Sequence, residues 1–139
     1  MSTRPRLAPL AAISLLLAAC VAAPDDTAQL SADHALDQRS RHGLVDATVA
    51  LDSPTLSRGP NDLSVALRAT DIRLAPTLIS VEASMAVHGH HASAANIVSD
   101  GEKFRVTGLD LFMSGRWQVT LGIELEDSSD LVEFALDVP

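Results

Sequence analysis

After position 43 the chain repeats every two residues, and that period limits what it can fold into. Val45, Ala47, Val49 and Leu51 alternate with Asp46, Thr48 and Ala50, and Leu63, Val65, Leu67 and Ala69 alternate with Ser64, Ala66 and Arg68. A third run places Ile79, Val81, Ala83, Met85 and Val87 on one face, against Ser80, Glu82, Ser84 and Ala86. The clearest alternation comes late: Trp117, Val119, Leu121, Ile123 and Leu125 share a face, and then Val132, Phe134, Leu136 and Val138 do. Successive side chains of a strand point to opposite sides of its sheet, so each run predicts a strand with one buried face. Turn residues separate the runs, at Pro54, at 58–62 (Arg-Gly-Pro-Asn-Asp), at 99–101 and at 127–130.

With shorter segments at 94–98 and 103–107, the count is about seven strands, and no long helix pattern competes with them. The fold class expected is all-β, an immunoglobulin-like β-sandwich in which two sheets bury their apolar faces against each other. Hydrophobic residues make up 47% of the 139 residues, enough for one such core, while aromatics are only 3%. Leu, Val, Ile and Ala must therefore fill it, with Phe104, Phe112, Trp117 and Phe134 as the few large pieces. The net charge of −8 repels phosphate backbones and argues against a nucleic-acid partner.

The first twenty residues follow a different logic. Arg4 and Arg6 precede an apolar run over 7–19, broken only by Pro9 and Ser14, and Leu17-Ala18-Ala19 leads into Cys20, the only cysteine. A run of about 13 residues is short of the roughly 20 that span a bilayer as a helix, so 1–19 reads as a signal peptide. Residues 17–20 resemble the lipobox of bacterial lipoproteins. That resemblance implies cleavage before Cys20, lipidation of its sulfur and anchoring to the lipid bilayer at the cell envelope. The alternative is an ordinary signal peptide cut nearby. Loss of Arg4 and Arg6 takes the charge from −8 to −10. Val21 follows the cysteine, where many inner-membrane lipoproteins carry aspartate, which favours the outer membrane in a Gram-negative host. With no second cysteine, packing alone must hold the domain together.

Residues 20–42 read as the lipidated cysteine and a polar, flexible tether, with a frayed helix open to 27–41. As a coil it holds the domain, 43–139, roughly 25 Å from the lipid. His34 and His42 read as solvated linker residues.

Two local motifs remain: Met85-Ala86-Val87-His88-Gly89-His90-His91 and Phe112-Met113-Ser114-Gly115-Arg116-Trp117. Together with Gly59-Pro60-Asn61, they resemble the YtkA-like domain family and the related FixH-like proteins, over roughly 56–125. Ala86 stands where that family usually has proline, and one methionine precedes the histidines. The resemblance implies a small β-sandwich at the cell envelope, often associated with copper or other metal handling.

The residues support a metal reading on their own terms. On a strand, His88 and His90 face one side about 7 Å apart at the backbone, and Gly89 leaves room between them. Imidazole suits Zn, Cu and Ni, and a thioether ligand shifts preference toward Cu(I). His91 joins if the chain leaves the strand after Val87, and Met113 supplies sulfur if the two loops meet at one end of the sandwich. The competing readings are a polar loop that happens to hold three histidines, or a pH-sensing cluster. Met85 has the parity of the core, where methionine often fills gaps. The acidic run Glu124, Glu126, Asp127 and Asp130 lacks the spacing of a calcium loop and reads as a charged hairpin end.

No nucleophile elbow, phosphate-binding glycine loop or His-Glu-x-x-His helix is present in the sequence, so an enzyme is not expected. Two readings remain. One is a membrane-anchored envelope lipoprotein whose non-catalytic module binds copper or another transition metal through His88, His90, His91 and Met113. The other is a structural or protein-interaction lipoprotein with an envelope protein partner and no metal.

Overall fold

A computed structural model of the chain describes residues 30, 31 and 33–139. The segment read as a signal peptide, Cys20 and the first part of the expected tether lie outside the described residues. Nine strands run in order: β1 (Leu36–Arg39), β2 (Val45–Leu51), β3 (Gly59–Ala69), β4 (Thr77–Met85), β5 (His90–Ser93), β6 (Asn96–Asp100), β7 (Lys103–Leu111), β8 (Gly115–Leu125) and β9 (Ser128–Val138). They form two antiparallel sheets, β1-β2-β3-β7-β6 and β5-β4-β8-β9, and no helix occurs among the described residues.

The core follows the two-residue period. Along β8, Trp117, Val119, Leu121, Ile123 and Leu125 are buried, while Arg116, Gln118 and Glu124 are exposed. β9 answers with Val132, Phe134, Leu136 and Val138, paired residue for residue with β8 from Gly115↔Val138 to Leu125↔Ser128. The facing sheet contributes Val45, Val49, Leu63, Val65, Val106, Leu109 and Leu111. This is the expected two-sheet sandwich, stabilised by apolar burial.

The strand count is higher than the alternation predicts, for two reasons. The first is β5, residues 90–93, which falls in the stretch read as the histidine motif; after it the chain crosses between sheets at 94–95, and the segment read as a strand at 94–98 becomes β6. The second reason corrects the tether. Its end is the edge strand β1, paired with β2 from Leu36↔Val49 to Arg39↔Asp46, and Leu30 and Leu36 are buried in the core. The helix left open for 27–41 is therefore replaced by strand over 36–39. Too short to show a period, four residues carry little pattern; the paired neighbour decides their state.

Two apolar residues of the third run also depart from expectation. Ile79 is 55% exposed because β4 shifts register against β8 between Leu78 and Ser80, so that Leu78 and Val81 both point inward and Ile79 is turned out. Val87 is 87% exposed because β4 ends at Met85. Met85 itself is buried, as its parity requires.

Asp130 corrects the charged-hairpin reading. Glu126 and Asp127 are exposed in the β8–β9 turn, but the Asp130 side chain is fully buried. Its Oδ1 accepts from the backbone N–H of His42 at 3.1 Å and of Leu131 at 2.8 Å, and its Oδ2 accepts from Leu44 at 3.3 Å. The His42 ring, expected to be free in the linker, has Nδ1 3.1 Å from the same carboxylate. Asp130 thus ties the β1–β2 turn to β9, across the two sheets.

Candidate functional site

The β4–β5 hairpin places the histidines. Met85 O accepts from the N–H groups of His88 (3.1 Å) and Gly89 (2.9 Å), and Met85 pairs with His90 where β5 begins. Residues 86–89 therefore make a four-residue loop, closed by Gly89 at φ +65°, a conformation that costs a side chain energy and glycine very little. His88 stands at the tip, exposed, and His90 is the half-buried first residue of β5.

The His88 and His90 rings lie with centroids 6.1 Å apart and planes tilted by 32°. His90 in turn meets Phe112 edge-on at 5.2 Å, and Phe112 meets Trp117 edge-on at 5.4 Å. A row of four rings thus runs from the exposed tip to the fully buried indole. Its far end is held firmly, since Trp117 Nε1 donates to Met113 O at 2.9 Å and closes the 112–114 connection over the core. Gly115, at φ +120°, permits that turn, and the Met85 methyl would lie only 3.3 Å from a Cβ placed there. At the same end, Asn61 is buried and donates through Nδ2 to Ser57 O and Gly59 O, while its Oδ1 accepts from Ser57 N. That clasp explains the Gly-Pro-Asn segment as a loop-fixing device.

Ring separation limits what the histidine pair can hold. With metal–nitrogen bonds of about 2.0–2.1 Å, a bound imidazole has its centroid about 3.2 Å from the ion, so two rings on one ion lie at most about 6.4 Å apart. The observed 6.1 Å falls inside that limit, near its upper end, where two imidazoles reach one ion only from nearly opposite sides. A wide angle suits two-coordinate Cu(I); a tetrahedral ion requires the rings to close to about 5 Å. His88, exposed at the tip, has the freedom to close that gap.

His91 is not brought to this pair. It follows His90 in β5, pairs with Ser84, and lines a separate hollow with Glu82, Gln118 and Thr120 on the outer face of the sheet. Strand alternation makes this unavoidable once β5 starts at His90. Met113 adjoins Phe112 and is half-buried against the core, so the two loops do meet at one end of the sandwich. Among the described residues, no three His, Cys, Asp or Glu side chains converge on a common point. The pair is thus a two-nitrogen donor set with a thioether-bearing loop beside it. Sequence reasoning missed Phe112 as the platform under His90, although its place before a Met-x-Gly-x-Trp stretch was the available signal.

Fold and site together define a small all-β sandwich with an aromatic, histidine-tipped end. Compared with family models, curated proteins and solved structures, the chain finds no match.

Proposed function

We propose that the chain is a membrane-anchored lipoprotein of the bacterial cell envelope, carried on Cys20, whose non-catalytic sandwich binds copper or another transition metal through His88 and His90. The observation that carries this reading is the tilted His88–His90 pair, with ring centroids 6.1 Å apart, within the span one ion bridges. Met113 is the third donor in this proposal, and its thioether favours Cu(I). The sequence likeness to the YtkA-like family supports the same assignment. His91, on the other face, has no part in the site.

Titration of the protein with Cu(I), Cu(II) and Zn(II) tests it. The double substitution His88→Ala/His90→Ala is expected to weaken binding by more than about 100-fold, since even residues that only orient a ligand are worth about 10–100-fold. Unchanged affinity in the double variant overturns the proposal.

A second reading, a structural or interaction module without metal, draws on β9, eleven residues long at the edge of its sheet. Edge strands of that length are able to pair with an added strand. A specific envelope partner that is retained under chelation and in the double variant favours this reading.

A further inference from the structure

The point at which the chain enters the fold fixes which end of the sandwich lies near Cys20. Leu30 lines a hollow with Thr55, Leu56 and Val138. Val138 pairs with Gly115, the first residue of β8, which follows the end of β7 at Leu111 by a short connection. The entry point and the histidine hairpin are therefore at the same end.

That end differs from the opposite one in chemistry. Val87 is 87% exposed at the hairpin tip and Phe112 is 44% exposed beside it. Its three connections, 52–58, 86–89 and 112–114, contain only Asp52 and Arg58 as permanently charged side chains. Turns at the far end also expose one apolar side chain, Ile72, but they carry six permanent charges, Arg41, Asp71, Arg73, Glu102, Glu126 and Asp127. Of these only Asp71 and Arg73 pair with each other, and such groups are costly to bring against a lipid surface.

Length decides the orientation. Nine residues, 21–29, separate Cys20 from Leu30, and the ten steps between them reach at most about 35 Å even when fully extended. The eleven-residue strands β8 and β9 are themselves about 36 Å long. The far end meets the membrane only if the whole linking segment is drawn taut along the side of the domain; the near end meets it without that constraint.

We infer that the Val87–Phe112 end of the sandwich rests on the bilayer that holds Cys20, which places the histidine pair at the lipid surface. This rests on the proposed lipidation of Cys20. The occupant is the headgroup region of the membrane, where exposed apolar side chains flanked by few charges lie favourably.

The test uses the full lipidated chain, in which acylated Cys20 leaves no free thiol, so an introduced cysteine labels uniquely. Val87→Cys and Ile72→Cys, both at exposed positions, each carry the same fluorophore in phosphatidylethanolamine–phosphatidylglycerol vesicles containing a headgroup nitroxide lipid; Ile72 is 98% exposed in the connection at the far end. The label at 87 is expected to lose most of its emission and the label at 72 to keep it. Equal loss, no loss, or stronger loss at 72 overturns the orientation. A label at 87 that stays bright and shifts to the blue as protein density rises puts a second copy there instead, and also overturns it. Flotation with the vesicles, abolished by Cys20→Ala, checks the anchor separately. A protein that does not float overturns both readings, and one that floats with the wrong quenching pattern overturns only the orientation.

Discussion

Trp117→Ala is expected to lower stability by about 3–5 kcal/mol, the range for truncating a large buried aromatic. Trp117 is the largest fully buried side chain, completely shielded from solvent. Its removal opens a cavity between the sheets, deprives Met113 O of its indole donor and takes away the ring against which Phe112 rests. Whole domains are stable by only about 5–15 kcal/mol, so the loss is a large fraction of the total. For about 100 residues each kcal/mol moves the melting temperature by about 4–8 °C, so a fall of at least about 12 °C follows. Trp117→Phe keeps most of the volume and loses the N–H, and is expected to fall between the two. Thermal unfolding followed by circular dichroism reads this, because Trp117 is the only tryptophan and its substitution removes the intrinsic fluorescence probe. An alanine variant that melts with the parent protein contradicts the packing described.

The second large effect is expected at Asp130. Burial alone would raise its pKa, but hydrogen bonds from Ser40 and from the backbone of His42, Leu131 and Leu44 outweigh burial and lower it from 3.8 to about 2. A carboxyl group whose folded value is depressed favours the folded state in its ionised form. The contribution is therefore full above pH 3.8 and disappears as pH falls through about 2. A shift of this size is worth about 2 kcal/mol. Asp130→Ala costs more at neutral pH, about 3–5 kcal/mol, because it also leaves buried N–H groups without an acceptor. Asp130→Asn keeps one acceptor oxygen and should cost less. Urea midpoints from pH 7 down to pH 2 check this: the gap between parent and Asp130→Asn is expected to narrow in acid. A gap that stays constant with pH contradicts the role of the ionised carboxylate.

How far these features could be read from residues alone depends on how local their causes are. The faces of β8 and β9 were plain over 117–125 and 132–138, because large apolar residues at every second position leave one register that buries them all. Ile79 could not be placed, since a bulge depends on how β4 meets β8 and leaves no mark in β4's own pattern. β1 was hidden for a similar reason: its pairing with β2 supplies what four polar-rich residues lack. Asp130 looked like one more acid in a charged hairpin, and only the turn carrying His42 and Leu44, about 90 residues earlier, gives it partners. At the site, the rings of His88 and His90 do lie near each other, but across the end of the hairpin loop rather than along one face of a strand. Spacing misplaced His91 because the start of β5 is set by the length of the hairpin loop, and that start fixes which histidines share a face.

The asymmetry among the three histidines gives the most direct measurement. Imidazole nitrogen resonances of the 15N-labelled protein, followed on addition of one equivalent of Cu(I), are expected to shift for His88 and His90 and to stay in place for His34, His42 and His91. A spectrum in which no ring responds, or in which His91 moves together with the pair, contradicts a two-histidine site at the tip of the β4–β5 hairpin.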